Sequence, residues 1–245
     1  MCTVTFLPDA TNGFILTHSR DEKSIRPAAL PPRTLYMGGQ DVTFPQDPQG
    51  KGTWVATSRT LTACLLNGGL VPHQLQPPYR HSRGLVVLDV FDYVSIDSFL
   101  RHYRFNGLEP FTLLLAEAER LVEVRWTGRR VITNEKDNRQ PHIWSSVTLY
   151  STHVIQERER WFADWRQQTP VWSLPGIRQF HKTAGNGDPA NALRMNRQSQ
   201  YFTVSLTSVV HANGQSNMHY EDLSQSTLAP VTPAPQLSSY PYATH

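Results

Sequence analysis

Cys2 follows the initiator methionine. Methionine is normally removed when the next side chain is small, so this thiol can become the true N-terminus. It then stands beside an α-amine whose reference pKa is about 8. A thiol and an amine on one residue form a compact nucleophile-plus-base unit. The alternative is an inert cysteine buried in a first strand, and position alone leaves both open.

The residues around Cys2 predict a hairpin. Cys2 to Leu7 is rich in Thr, Val and Phe and predicts a strand, Pro8 to Gly13 is a turn cluster, and Phe14 to Thr17 predicts a second strand. Such a hairpin returns His18 to Glu22 to the end that holds Cys2. Arg20 could hold a thiolate or a substrate oxygen by charge-assisted hydrogen bonds. Asp21 could orient the terminal ammonium or pair with Arg20. Glu22 is the less favoured substitute, its side chain being expected to point the other way. The same residues would also make an ordinary salt-bridge cluster at a strand end.

Further along, Leu61 to Leu66 predicts an apolar strand ending at Asn67-Gly68-Gly69. The Asn67 amide could donate to an oxyanion during acyl transfer, and Gly68 would allow close approach of a substrate. An Asn-Gly turn is the plain alternative. Trp54 could line a pocket or fill the core. His18 could serve as base or donor, or be a structural strand-end histidine; His73, His81, His102 and His153 are equally ambiguous. Cys64 lies inside an apolar strand and reads as packing. There is no His-Glu-x-x-His, spaced Cys/His set, phosphate-binding loop, GxGxxG or GxSxG, so no metal site and no cofactor is expected.

The 245 residues suffice for one large domain. The apolar share of 39% and charged share of 18% fit a globular protein, and a net charge of +3 is mild. Arg20, Arg26, Arg33, Arg80 and Arg83 would attract an anionic substrate if they converge. No nucleic-acid signature appears, no apolar run is long enough to span a membrane, and the first residues show no basic region followed by an apolar run and a small-residue cleavage site, so no leader is expected. A cytoplasmic location is the default. Two cysteines do not demand a disulfide.

Several other elements are predicted. Gly52 to Ala56 pairs with Leu61 to Leu66, and Phe111 to Ala116 with Leu121 to Trp126. Arg130 to Thr133 adds a short strand. Helices are expected over Ser95 to Tyr103, Thr152 to Gln168 and Pro175 to Lys182, and a late hairpin over Tyr201 to Tyr220. Ser82 to Val90 fits helix or strand. Pro27, Pro31 and Pro32 should break regular structure. Repeated hairpins beside several helices predict an α+β fold rather than a βαβ sheet. Residues 1–224 read as a single domain, and 225–245 as a Pro/Ser/Thr-rich tail or surface arm.

Met1-Cys2-Thr3, His18-Ser19-Arg20-Asp21-Glu22, Arg26-Pro27, Gly52-Thr53-Trp54-Val55-Ala56 and Leu61 to Asn67 together resemble the NRDE family, proteins similar to transport and Golgi organization protein 2. The late segment Thr203 to Val210 with Asn213-Gly214 fits the same pattern. The resemblance implies a four-layer αββα N-terminal nucleophile (Ntn) hydrolase-like fold with two packed antiparallel sheets. By wider resemblance to cysteine amidases, it implies attack by Cys2 with Arg20 and Asp21 in support.

Two departures stand out. The family-name asparagine is Ser19 here, and Trp144-Ser145-Ser146 occupies the region where those amidases carry an oxyanion asparagine. Ser145 or Ser146 would be a shorter donor. The late arginine of those amidases has no match near Ser205 to Ser208. The leading expectation is an N-terminal cysteine hydrolase of a small non-peptide amide or acyl compound. The rival is a non-enzymatic haem or acyl-lipid binding or trafficking protein on the same fold, with His18, His73 or Cys2 as iron ligands. Homo-oligomerisation is compatible with both.

Overall fold

The computed structural model describes residues 2–9, 13–198 and 200–224. The expected tail at 225–245 lies outside the described residues. The first hairpin forms as the sequence predicts, from β1 (Cys2–Pro8) and a longer β2 (Phe14–Lys23). Next come β3 (Leu30–Met37), β4 (Gln40–Gln46), β5 (Val55–Thr57) and β6 (Thr62–Asn67). Then follow α1 (Arg83–Asp89), α2 (Ile96–His102), β7 (Phe111–Glu117), β8 (Arg120–Trp126), β9 (Val131–Lys136) and β10 (His142–Ser145). The chain continues through α3 (Thr152–Gln168), α4 (Leu174–Thr183), β11 (Asn196–Arg197), β12 (Tyr201–Ala212) and β13 (Gln215–Asp222).

These elements build an α+β fold with two packed antiparallel sheets. One sheet runs β10-β1-β2-β12, with β11 and β13 both paired to β12. The other runs β3-β4-β5-β6-β7-β8-β9. Strand alternation divides the apolar residues among three cores. Val4, Phe6, Leu16 and Val209 of the first sheet meet Val55, Cys64, Leu66 and Leu114 of the second. Ala63, Leu65, Leu113 and Val124 face the other way, onto Val86, Val87 and Phe99 of the first two helices. Leu7 and Ile15, on the far side of the first sheet, pack against Phe162 of α3 and Ile177 and Phe180 of α4.

Two local expectations resolve here. The ambiguous Ser82–Val90 segment is helical: the Ser82 hydroxyl caps it by accepting from the Gly84 N–H, and Val86 and Val87 are buried on the second sheet. Pro31 and Pro32 do not end structure; they lie in β3, at the edge of its sheet, where the register with β4 shifts between Leu30 and Arg33. An edge strand with a bulge is where the missing N–H of proline is tolerated.

Candidate active site around Cys2

Cys2 pairs in register with Arg20, Thr3 with Ser19, and Val4 with His18. Cys2, Arg20 and His18 therefore share the inter-sheet face, and alternation gives Glu22 the same face. Cys2 is 4% exposed and lines a cavity of about 210 Å³ with Arg20, Glu22, Trp54, Asn67 and Arg83. Arg26 and Asp47 complete the charged part of its wall. Burial pushes the Cys2 thiol above its ordinary pKa; the Asp21 charge adds to this and the Arg20 charge opposes it. The thiol thus stays protonated at neutral pH and requires a base to attack.

The charged groups are cross-braced. The Arg20 guanidinium stacks over the Trp54 ring at 4.4 Å from its centroid and reaches Glu22 at 3.5 Å and Asp47 at 3.7 Å. Arg26 pairs with Asp47 as well. Burial opposes ionisation of Asp47, but the Arg26 bond and the arginine charges outweigh it and hold the carboxyl below its usual range. Arg83 pairs with Glu109 at 3.0 Å. Burial lowers its pKa, and the Glu109 charge opposes that shift. Trp54 ties the sheets together by donating from Nε1 to the Thr207 hydroxyl at 3.2 Å. It is both core and cavity wall. The wall also depends on close backbone approach: a Cβ on Gly52 would come within 2.2 Å of the Gly84 backbone, and the Thr53 N–H donates to the Gly84 carbonyl at 3.0 Å.

Of the five arginines that could gather an anion, Arg20, Arg26 and Arg83 converge on this cavity. Arg33 bonds Gln46 on an exposed strand, and Arg80 bonds the Arg104 carbonyl and Tyr103 elsewhere. The expectation that Glu22 turns away from Cys2 is corrected: Glu22 is on the Cys2 side and Asp21 turns to the opposite face. There Asp21 accepts from the Tyr150 hydroxyl and lies 2.6 Å from the Thr203 hydroxyl. Burial raises its pKa against the Arg158 charge and these two bonds.

Of the weaker pocket candidates, Trp54 lines the cavity. His18 does not reach the cavity. It is buried between the sheets with Nε2 at 3.4 Å from the Leu65 carbonyl, and burial pushes its pKa down to about 3. It is a neutral core histidine. His73 sits 3.2 Å from Glu109 and lines neither the Cys2 cavity nor any surface shared with His18. Among the described residues no three His, Cys, Asp or Glu side chains gather to hold a metal ion.

Ser145 pairs with Thr3 and so takes the face away from Cys2. The Ser146 N–H donates to the Cys2 carbonyl at 2.9 Å, while its hydroxyl donates to the Asn67 carbonyl at 2.7 Å. Ser146 therefore braces Cys2 and Asn67. Gly68 is closely approached by Val147 and Thr148, not by the cavity.

Sequence reasoning missed Asp47, Glu109, Tyr150, Arg158 and Thr203, and had no means to select Arg26 and Arg83. The alternation rule applied to Cys2 and Arg20 would have found Glu22. Asp47 arrives from the loop after β4 and Arg83 from the first position of α1, and neither carries a local periodic signal.

Among the described residues, no helix is long and apolar enough to cross a membrane. No curated protein matches the sequence. Among solved structures, a variant of conjugated bile acid hydrolase from Clostridium perfringens aligns with 91% of this chain and 93% of its own, at 9% identity and a TM-score of 0.47. The model of the family described as Transport and Golgi organisation 2 matches residues 1–223, and the chain belongs to that family.

Proposed function

We propose that this chain is an N-terminal cysteine hydrolase that cleaves a small non-peptide amide or related acyl compound through a Cys2 thioester. The observation that carries this reading is the register pairing of Cys2 with Arg20 at a cavity that Asn67 also lines. The two packed sheets with helices against their outer faces are read as the αββα layering of Ntn hydrolases, and Ser19 to Glu22 as this chain's form of the NRDE signature.

The steps follow from the groups present. With Met1 removed, the α-amine of Cys2 takes the thiol proton, a necessary step because burial holds the thiol protonated. Asp21 orients that amine from behind the sheet. Sγ attacks the carbonyl carbon, and the electron pair of the C=O bond moves to oxygen, where the Asn67 amide donates to it. Arg20 offsets the local negative charge. Collapse of the tetrahedral adduct breaks the C–N bond, and the leaving nitrogen takes the proton from the α-amine. Water then adds to the thioester, Sγ departs as the carboxylic acid forms, and the α-amine relays the proton back to sulfur.

The test is intact mass of untagged protein before and after exposure to electrophilic amide and β-lactam probes. Loss of Met1 with one adduct mapped to Cys2 is the expected result. Retained Met1, or a Cys2 that no probe modifies in the folded protein, overturns the reading.

A further inference from the structure

A second cavity, of about 300 Å³, adjoins the first. Arg20, Glu22 and Arg26 line both. Lys23 and Asp222 also line this second cavity, and the rest of the wall is mainly apolar, with Pro27 and Ala29 on one side and Phe202, Val204 and Tyr220 on the other. Its volume lies at the lower end of the range of about 300–1,000 Å³ usual for ligand sites.

A break in strand pairing shapes this groove. β12 pairs Thr203 with Asp21 and Ser205 with Arg20, so Val204 is the extra residue of a bulge opposite the Arg20–Asp21 step. A bulge re-aims side chains and is common beside active sites. Here it leaves Thr203 against Asp21, lets the Val204 carbonyl accept the Leu223 N–H at 2.9 Å, and gives the Val204 side chain to the groove. Ala29 and Tyr220 also pack on the inter-sheet core, which makes this wall a continuation of that core. The other end of the Cys2 cavity is polar, with Asn67, Ser82 and Arg83.

We infer that the groove is the acyl subsite of the hydrolase proposed above: the substrate is an amphipathic amide whose hydrocarbon acyl arm lies along Ala29, Phe202, Val204 and Tyr220, with its carbonyl at Cys2. This rests on the hydrolase reading. The polar end receives the amine side, where the leaving group departs and water enters, while the apolar groove retains the acyl arm for the second half-reaction.

The experiment follows acylation of Cys2 by the 4-nitrophenyl esters of acetic, butyric, hexanoic and octanoic acids, by nitrophenolate release and adduct mass. Burying each added methylene should raise the acylation rate constant roughly fourfold until the groove is full. Ala29→Trp and Val204→Trp each fill the groove and should flatten the series. A flat series in the unmodified protein overturns the inference, as does an unchanged slope in both tryptophan variants when circular dichroism shows them folded. If no ester acylates Cys2, calorimetric titration of the Cys2→Ala protein with butanamide and octanamide separates the two readings. Tighter octanamide binding that Ala29→Trp abolishes keeps the apolar subsite and removes only the hydrolase. Absence of octanamide binding removes the subsite.

Discussion

The guanidinium carbon of Arg158 sits 3.6 Å from the centre of the Tyr150 ring, and the Tyr150 hydroxyl in turn donates to Asp21. Arg158 is fully buried. It donates to the Thr3 hydroxyl, to the Asn191 carbonyl from Nε at 3.1 Å, and to the Ala192 carbonyl at 2.7 Å. One side chain thus joins α3, the strand that begins at Cys2, and the segment before β11. Its charge also opposes the burial that disfavours ionisation of Asp21. Behind Cys2 stands a polar layer whose members depend on one another.

Replacing Arg158 with methionine should therefore be costly. It leaves the Thr3 hydroxyl, two carbonyls and Asp21 without their shared cation. Leaving a buried partner of a charged group unsatisfied costs about 1–3 kcal/mol, and urea unfolding should show a loss of at least that order. A cycle with Asp21→Asn tests the coupling: the Arg158→Met cost should shrink once Asp21 is neutral. Equal costs in both backgrounds would mean that Arg158 acts only through Thr3 and the carbonyls.

Asn67 gives a kinetic prediction. If its amide stabilises the developing oxyanion, Asn67→Ala should lower the rate of Cys2 acylation by about 10²–10³. Stability should change little, because the brace to Ser146 uses the Asn67 backbone carbonyl. Burst kinetics with an activated ester and a parallel thermal melt separate the two effects. A variant that reacts at the parental rate removes Asn67 from the mechanism.

The first hairpin was legible because its signals are local: a turn cluster between two β-rich runs fixes which residues meet. The helix over Thr152–Gln168 was legible for the same reason, and its bounds agree with the structure. Side-chain facing was less visible. By residue type Asp21 and Glu22 are alternatives for one place, whereas the Cys2–Arg20 register sends them to opposite faces. The braces of the cavity were hidden more deeply. Arg83 reaches the cavity beside Gly84, whose backbone packs closely on Gly52, and contact between distant glycines has no periodic signature. The short alternation in Ser82–Val90 was indecisive, since burial against a sheet, not propensity, makes that segment a helix.

Two buried histidines set an acid limit on stability. Burial pushes both His18 and His181 down to about 3. His181 is held neutral between the Thr5 and Ser19 hydroxyls, each at 2.8 Å. Between that value and the unfolded value near 6.5, the unfolded chain binds the extra protons, so stability rises with pH across this window and is complete above it. Acidification from pH 6 to 4 should cost about 2–3 kcal/mol for each histidine. Asp21 works in the opposite direction, because burial raises its pKa, and it offsets part of this loss. Urea midpoints measured from pH 4 to 7 should fall on acidification, and His181→Gln should reduce the slope. A slope unchanged by that substitution would show that His181 does not carry the effect.

Gly68 offers a comparison with its own control. Its φ is +87°, and an added Cβ would lie 2.6 Å from Val147 Cγ2 and 2.8 Å from Thr148 Cγ2. Gly39 has a similar φ of +81° but open space around it. Alanine at either position meets the cost of the left-handed region, on the order of 1–3 kcal/mol. Only Gly68→Ala must also displace the segment through which Ser146 braces both Cys2 and Asn67. Gly68→Ala should therefore lower the melting temperature more than Gly39→Ala, and it alone should slow acylation of Cys2. Equal melting shifts with unaltered acylation in both variants would show that the 146–148 segment can yield without disturbing the cavity.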